Sequence, residues 1–359
     1  MIICVAGDPG GSRAVLPVAI ALHNAGETLC IPGHGFLGRE LPEELLEYLC
    51  DKELAESKIA HSKALVFGSS TDDVFPLSLA RKAKALEIPV IHILDSWSTY
   101  KQRLCTDKLP MLVPDLYTAI DEFALDGAIA EGVPQSCLQV TGHPGMAMAY
   151  ESITQLGISE KRKAAQKLGV PTNRLHIAFV NEPFRTIFGT EVTNENHPGF
   201  IEEDVLARFV EALRQFLKDV YVSVLPHPKQ NPDEVSQLWE KVRGGVSGRV
   251  LHLDMGRDVL GTVSGVAGMA SILLYEAWLL GLPVLSMQPN CRFPSMRRFE
   301  FLDEIHYTKH MENITQTTVS WLEQCQQQGV STPRSDMFLH KNAPMTIASL
   351  VQQHISRII

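Results

Sequence analysis

The 359-residue sequence lacks a basic excess, closely spaced cysteines and long apolar runs, and each absence excludes a class of protein. Its formal net charge of -9 argues against a nucleic-acid partner, because phosphate contacts need a basic face. Its seven cysteines include no CxxC pair, so neither a disulfide framework nor a zinc site is indicated. No segment approaches the roughly 20 apolar residues of a membrane-spanning helix. No basic segment precedes the first predicted strand, so we expect a cytoplasmic protein, and attachment at the inner membrane is left open.

Two nucleotide-binding fingerprints are also absent from the first loop, residues 7–12. The loop contains neither G-x-G-x-x-G nor G-K-S/T, which excludes a typical dinucleotide or Walker loop. It does follow a predicted strand and open a helix, and its backbone N–H groups suit an anion or a polar ligand. A tight turn without a ligand explains it equally well. No D-x-D pair stands in a convincing strand context, so no metal cofactor is predicted.

Apolar strand-like runs alternate with helical stretches along the whole chain, a pattern that favours parallel sheets with crossover helices. The length predicts two domains at roughly 150 residues each. We therefore predict an α/β fold with two Rossmann-like lobes facing across a cleft. The first lobe covers residues 1–155, the second residues 172–342, and a helix follows over 343–359, whose return to the first lobe is left open.

Local patterns in the first half predict several further elements. A helix is expected over residues 42–50 and another over 122–131, and a short strand is expected at 127–128. Between the lobes, the polar residues 151–168 are the best candidate linker.

Three carboxylates in the first half are candidates for general acid or base chemistry. Asp95 ends a strand beside Trp97 and is our first choice as catalytic base, although it could simply cap the next helix. Asp8, in the first loop, and Glu122, at a helix start where the helix dipole favours an acid, follow it. His143, on a Gly-Pro turn, either reaches substrate or is solvated.

Basic residues follow two strands of the second half. Arg185 comes after the first of these strands, and its planar guanidinium group suits paired bonds to a diphosphate. His227 and Lys229 lie on a proline-rich loop after the next strand. Because the carboxyl ends of parallel strands meet at one sheet edge, we expect these three residues to approach the same ligand.

A small-residue segment, residues 265–271, leads into a further helix of the second half. With Gly268 keeping the segment small, Ser271 and free N–H groups could hold a phosphate at the helix start. Glu276 lies farther along this otherwise apolar helix, where an acid is costly without a partner. A ribose diol would serve as that partner, and a salt bridge to an arginine is the alternative.

Three short segments resemble the GT-B superfamily, which includes UDP-N-acetylglucosamine 2-epimerases and glycosyltransferases of peptidoglycan and lipid A synthesis. Residues 226–232 resemble an epimerase loop in their His, Asn and Pro content, and 276–285 repeat its order of acid, glycine, proline and strand. Residues 138–144 are similar to its interlobe turn. The resemblance in architecture covers essentially the whole chain.

This resemblance implies roles for four residues already singled out. Arg185, His227, Ser271 and Glu276 would hold the nucleotide diphosphate, and the first lobe would bind the acceptor. The chain departs from the family patterns at specific places, which are residues 12–13, 270–272, 275–276 and Asp95. Peptidoglycan transferases have a histidine at the first of these, and the epimerases have Ser-Gly-Gly, Glu-Glu and a differently placed acid at the others.

We therefore predict a GT-B glycosyltransferase that moves a sugar from a nucleotide-diphosphate donor, read as a UDP-sugar, to a cell-surface polysaccharide or glycolipid acceptor. Its oxocarbenium-like transition state needs a base for the acceptor hydroxyl and positive charge for the leaving diphosphate. Arg185, His227 and the helix start at Ser271 would supply that charge. The alternatives are a sugar-nucleotide 2-epimerase, hydrolysing or not, and a non-catalytic nucleotide-sugar-binding protein. Homodimer formation is left open.

Overall fold

The computed structural model describes residues 1–69, 73–105, 109–147, 158–171, 173–216, 219–252, 258–327 and 331–357. The chain divides into two compact units. The first unit is Met1–Met148 together with Asp336–Ile359, and the second is Ala149–Ser335. The predicted domain limits at 155 and 172 lie outside the described residues, so those limits stay a prediction.

The first unit is built on a sheet of seven parallel strands within its described residues. In chain order the strands are β1 Ile2–Val5, β2 Leu29–Pro32, β3 Leu49–Cys50, β4 Ala64–Phe67, β5 Val90–Ile93, β6 Leu116–Ala119 and β7 Leu138–Val140. Their order in the sheet is β3-β2-β1-β4-β5-β6-β7.

The second unit contains a sheet of six parallel strands in the part of the chain that the structure describes. They are β8 Leu175–Val180, β9 Val220–Leu225, β10 Ser247–Val250, β11 Val266–Gly268, β12 Val284–Met287 and β13 His306–Thr308. Their order is β10-β9-β8-β11-β12-β13. The predicted α/β class with two parallel sheets is confirmed.

Helices connect the strands in both units. In chain order they are α1 Pro9–Asn24, α2 Gly35–Arg39, α3 Lys52–Lys58, α4 Phe75–Ala85, α5 Glu122–Ala130, α6 Ile158–Lys167, α7 Phe184–Phe188, α8 Glu202–Gln215, α9 Pro232–Val242, α10 Ile272–Leu279, α11 Ile314–Gln327 and α12 Met337–Ser356. None of the described helices is long and apolar enough to cross a membrane.

Strands at the centre of each sheet are buried along their whole length. Every residue of β1 and β4 is at most 1% exposed, because helices cover both faces of a parallel sheet. Since all strands of a sheet run the same way, the loops that follow them gather at one edge. Asp8, Asp95 and Glu182 follow β1, β5 and β8 and lie at these edges.

Two local predictions in the first unit are wrong. The stretch 42–50 forms a 3-10 helix, Glu43–Tyr48, followed by the edge strand β3. Only Leu45 of that 3-10 helix is buried, too little apolar surface to hold a full α-helix. The strand at 127–128 lies inside α5, where a methyl group on Gly127 would approach the Tyr100 ring to 2.6 Å. The absence of a side chain at Gly127 therefore makes room for the Tyr100 ring and does not indicate a strand.

The last helix, α12, belongs to the first unit. It begins at Met337, earlier than the predicted residue 343, and packs against α1. Its buried residues Ile347, Ala348 and Val351 join the core formed with β1 and β2. The first unit is therefore built from two separate stretches of the chain.

Candidate functional site

Two predicted carboxylates come together at the carboxyl edge of the first sheet. Asp8 follows β1 and is the N-cap residue of α1, and Asp95 follows β5. Both lie against Gly10, where a methyl group would be 2.1 Å from Asp95 Oδ2 and 3.6 Å from Asp8 Oδ2. The absence of a side chain at Gly10 thus makes room for an acidic pair at the start of α1.

Asp95 forms a buried ion pair with Arg103. Arg103 is only 7% exposed and Asp95 only 8%. The same guanidinium group donates to the backbone oxygens of Ser69 at 2.8 Å and Ser98 at 3.1 Å, and to Ser96 Oγ at 2.6 Å. A guanidinium group distributed over several acceptors fixes the Asp95 carboxylate in one position.

Asp8 is the less constrained member of the pair. Burial raises its pKa to about 6, and the negative charge of Asp95 adds to the effect, while Arg103 opposes it. Hydrogen bonds from the backbone N–H groups of Gly11 and Asp8 also oppose the rise. Asp8 therefore has the properties of a group that gains and loses a proton near neutrality.

Glu122, the third predicted carboxylate, is exposed in the first turn of α5. The structure gives it no contact with Asp8 or Asp95 among the described residues. Its neighbour Asp121 has the structural role here, since it accepts bonds from Ala124 N at 2.8 Å and from Trp97 Nε1 at 3.1 Å. Asp121 therefore caps α5, and the acid at this helix start has a structural role.

His143 is buried, so the alternative of a solvated histidine is wrong. It is 2% exposed, and its Nδ1 accepts a bond from Gly145 N at 3.0 Å. Nε2 then carries the ring proton of the neutral form and donates to the Asp95 backbone oxygen at 3.2 Å. His143 thereby ties the end of β7 to the end of β5.

Sequence reasoning did not single out Arg103 or a histidine–carboxylate pair at the same edge. His34 Nε2 lies 2.8 Å from Asp73 Oδ2, and both press on Gly7, where a methyl group would collide with them. His34 and Asp73 follow β2 and β4, so their positions after strands were a usable signal. Arg103 lies in a 3-10 helix, Gln102–Leu104, far from any strand end, and no local pattern marks it.

The predicted phosphate loop of the second unit is already occupied by a carboxylate. Glu182 follows β8, and its Oε2 accepts the Ala270 N–H at 2.7 Å. Burial raises the pKa of Glu182 to about 7, and hydrogen bonds from the backbone of Ala270, Ser271 and Met269 oppose the rise. Ser271 caps α10 by accepting from Leu273 N at 3.3 Å. The N–H groups expected to meet a phosphate therefore meet Glu182.

Gly268 and Glu276 lie inside the second unit. Gly268 ends β11, and a methyl group on it would lie 2.9 Å from both Val180 O and Leu274 Cδ1. Its small size therefore serves the packing of α10 on the sheet. Glu276 is 1% exposed on α10.

Arg185 and Lys229 line a cavity of 740 Å³ together with Asn181 and Gln230. His227, Gly268, Ser271 and Glu276 are not among the residues that line it. The structure thus brings together two of the predicted ligand-binding residues in this cavity, and the segment before α10 is not part of its lining. Arg185 is paired with Glu203 at the exposed rim.

His227 is suited to donate a hydrogen bond and not to carry charge. Burial, reinforced by the positive charge of Lys229, lowers its pKa to about 4. Its Nδ1 accepts the Lys229 N–H at 3.1 Å, so Nε2 carries the proton of the neutral ring. In the protein without a ligand His227 is therefore neutral near pH 7, and its role toward a diphosphate stays a prediction.

No protein-family model and no curated protein matches the chain. Among solved structures, the UDP-GlcNAc 2-epimerase from Methanocaldococcus jannaschii has a TM-score of 0.66 at 14% identity, covering 98% of this chain and 99% of that chain. The UDP-GlcNAc 2-epimerase from Neisseria meningitidis bound to UDP-GlcNAc has a TM-score of 0.64 at 13% identity, with the same coverage. HepE from Anabaena in complex with UDP-glucose has a TM-score of 0.59 at 13% identity, covering 99% and 98%. The predicted GT-B fold is confirmed.

The prediction of a glycosyltransferase is corrected by this comparison. The two UDP-GlcNAc 2-epimerases have higher TM-scores than HepE, and they match almost the whole chain. The comparison therefore favours the alternative, a sugar-nucleotide 2-epimerase. At these identities the likeness establishes the fold, and the activity has to be argued from the residues.

Proposed function

We propose that the chain is a sugar-nucleotide 2-epimerase acting on a UDP-activated N-acetylhexosamine such as UDP-GlcNAc. The likeness in fold to UDP-GlcNAc 2-epimerases over nearly the full length supports this class of substrate. The observation that carries the proposal is Asp8, a carboxyl group with a pKa of about 6 at the carboxyl edge of a parallel sheet.

Epimerisation at C2 makes a specific demand on the protein. Inversion at C2 requires one proton to leave C2 while the electron pair of that C–H bond expels UDP from C1, and one proton to add to C2 from the opposite face as UDP returns to C1. A carboxyl group whose pKa lies near the working pH can accept the first proton, and the second comes from a donor on the opposite face. Asp8 meets this condition, whereas Asp95 is committed to its ion pair with Arg103. We assign proton transfer to Asp8 and the positioning of Asp8 to Asp95 and Arg103.

The test is incubation of the purified protein with UDP-GlcNAc in deuterium oxide, followed by proton NMR. We expect deuterium at C2 and a second, epimeric UDP-sugar, at a rate that rises as the pH passes through about 6. Asp8→Asn should slow both by about 100-fold or more, the usual contribution of a general acid or base. Glu122→Gln, which changes an exposed acid of the same unit, is the control and should react at the wild-type rate.

Two results would refute the epimerase. Release of UDP with the C2 proton retained would indicate attack at C1, and binding of UDP-GlcNAc without any exchange would indicate a binding protein. An unchanged rate of deuterium exchange in Asp8→Asn would leave the epimerase proposal standing but would show that Asp8 does not transfer the proton.

A further inference from the structure

Two of the seven free cysteines lie side by side at the edge of the first sheet. Cys30 is on β2 and Cys50 is on the edge strand β3, and their Sγ atoms are 3.0 Å apart. Pro32 is the register partner of Cys50. Because side chains alternate along a strand, Cys30 lies on the same face as Pro32 and therefore on the face of Cys50. A disulfide bond needs the two sulfur atoms closer by only about 1 Å.

The strand register keeps the next thiol away from this pair. Cys4 is on β1, which lies beside β2, and it follows Ile3, the register partner of Cys30. Alternation along β1 places the Cys4 side chain on the opposite face of the sheet. There Cys4 packs in the apolar core that includes Ile2. Cys50 is therefore the thiol that Cys30 faces.

The two thiols differ in their access to solvent. Cys30 is 2% exposed, whereas Cys50 is partly exposed. An oxidant in solution therefore meets Cys50 first, and Cys30 is in place to attack what forms there. Burial raises the pKa of Cys50 to about 12, and the neighbouring Cys30 thiol adds to the rise. The charge of Lys58 opposes this rise and that of Asp51 adds to it. Since the thiolate is the reacting form, the reaction is slow at neutral pH and faster in mild base.

We propose that Cys30 and Cys50 form a thiol-oxidation site whose oxidant is a small disulfide such as glutathione disulfide. The Cys50 thiolate attacks one sulfur of the oxidant, which forms a mixed disulfide and releases one glutathione thiol. The Cys30 thiolate then attacks Cys50 Sγ and releases the second glutathione thiol. The two protein thiols thus give up two electrons and two protons, and the two glutathione thiols carry them away.

The new bond forms where β3 holds the loop that follows β2. The Gly33 N–H donates to the Cys50 carbonyl oxygen at 2.8 Å, and the next residue, His34, pairs with Asp73. A cross-link from Cys30 to Cys50 ties this edge strand covalently to β2 and restricts the unfolded chain. Oxidation should therefore stabilise the edge of the sheet. The site is independent of the proposed epimerase, because neither thiol takes part in the proton transfer assigned to Asp8.

The experiment is oxidation of the full-length protein by glutathione disulfide at about pH 8.5, where more thiolate is present. Digestion with trypsin and mass spectrometry follow, without a reducing agent. Trypsin cleaves this part of the chain into peptides 1–13, 14–39 and 40–52, which carry one cysteine each. We expect the peptide of Cys30 to be joined to that of Cys50, with a mass lower than their sum by two hydrogen atoms. Dithiothreitol should separate them again, and the peptide of Cys4 should stay free.

Substitutions check that the native edge forms the bond. Cys50→Ser, at a partly exposed position, should give no cross-linked peptide. Cys105→Ser, which changes another partly exposed cysteine of the same unit, is the control and should give the wild-type cross-link. In urea denaturation, the oxidised wild type should unfold at a higher midpoint than its reduced form. The same oxidation should produce no rise in Cys50→Ser.

Three results would overturn the inference. The first is a wild-type protein in which both peptides stay free, or in which Cys50 carries glutathione without the cross-link. The second is a cross-link between Cys30 and Cys4. The third is a lower urea midpoint for the oxidised wild type, because a bond that fits the native edge stabilises it. The test uses no sugar nucleotide, so its failure leaves the epimerase proposal standing, and failure of the epimerase leaves this site standing.

Discussion

The acidic pair at the start of α1 shows how one arginine makes two similar carboxylates chemically different. Asp8 and Asp95 share the space over Gly10, yet the ion pair with Arg103 is made by Asp95. Burial raises the pKa of Asp8, the negative charge of Asp95 adds to the rise, and the charge of Arg103 opposes it. The division of labour between proton carrier and positioning group follows from the placement of a single guanidinium group.

The raised pKa of Asp8 predicts how stability changes with pH. The folded state holds a proton on Asp8 up to about pH 6, whereas the unfolded chain releases it near 3.8. Stability from this group is therefore full below about pH 4 and is lost as the pH rises toward 6 and above. Asp8→Asn, a mimic of the protonated form, should be more stable than the wild type at pH 7 by on the order of 1–3 kcal/mol and equal to it at pH 4.

Urea denaturation across this pH range measures the effect. Glu122→Gln is the matched control, because Glu122 is an exposed acid in the same unit. An Asp8→Asn protein less stable than the wild type at pH 7 would contradict the burial of a protonated Asp8.

The buried pair of Arg103 and Asp95 predicts a large penalty for losing one partner. Arg103→Met leaves the Asp95 charge buried without compensation, which costs about 3–5 kcal/mol of unfolding free energy. The double variant Asp95→Asn with Arg103→Met should recover part of this loss, because no uncompensated charge remains. Arg185→Met breaks a similar but exposed pair with Glu203 and should cost less than about 1 kcal/mol. Similar losses in the two arginine variants, measured by denaturation, would argue against the buried pair.

For single residues, the sequence predicts where a side chain lies relative to a strand better than it predicts which residues that side chain contacts. Asp8 and Asp95 were found because each follows a strand, and parallel strands bring such residues to one edge. Arg103 reaches Asp95 from a 3-10 helix, which has no periodic pattern to announce it. Glu182 is not among the predicted site residues, because its contact with Ala270 joins positions far apart in the sequence and local patterns do not indicate it.

Among the elements, the segment between β11 and α10 is held in place from two sides. Glu182 accepts its N–H groups, while the Met269 carbonyl oxygen accepts bonds from Ser286 Oγ at 2.6 Å and Gln288 Nε2 at 2.8 Å. These side chains lie on β12 and directly after it. The start of α10 is thus fixed to strand ends on both sides of β11, without help from a ligand.

Substitution of Glu182 tests this fixing of α10. Glu182→Ala removes the acceptor of the N–H groups and should cost about 1–3 kcal/mol of unfolding free energy. Glu182→Gln keeps an acceptor oxygen. The folded pKa of about 7 lies above the ordinary 4.5, so the stability contributed by the protonated group is lost as the pH rises through 7. Glu182→Gln should therefore be at least as stable as the wild type at pH 8, and a loss in Glu182→Gln as large as in Glu182→Ala would refute this account.

Elements with strong apolar runs were predicted almost to the residue, and short ones were not. The sequence predicts a strand over residues 284–287 and a helix over 271–280; β12 has the predicted limits, and α10 is one residue shorter at each end. The stretch 42–50 was wrong because one buried leucine gives too little pattern to separate an α-helix from a 3-10 helix. Strand β3, two residues long, could not be seen, since its position depends on its pairing with β2.

At the scale of the whole molecule, the two ends of the chain meet in one core. Helix α12 contributes Ile347, Ala348, Val351 and Ile355 to the core built around β1 and α1. The sheet of the first unit is therefore complete in sequence by residue 140, but its core is complete only with the C-terminal helix. The sequence pattern predicts the helix. The residues against which its apolar face packs lie far away in the sequence, so local patterns do not predict them.

Substitutions on opposite faces of α12 test this dependence. Ile347→Ala should lower the unfolding free energy of the first unit by about 2–5 kcal/mol, because Ile347 is fully buried and the substitution leaves a cavity. Met345→Ala on the same helix should change it by less than about 0.5 kcal/mol, since Met345 is 62% exposed. Hydrogen exchange of the amides in β1 and β4, compared with those in β8 and β9, reports the effect unit by unit. Faster exchange confined to the first unit is expected in Ile347→Ala. Equal effects of the two substitutions, or faster exchange confined to β8 and β9, would show that α12 does not support the first core.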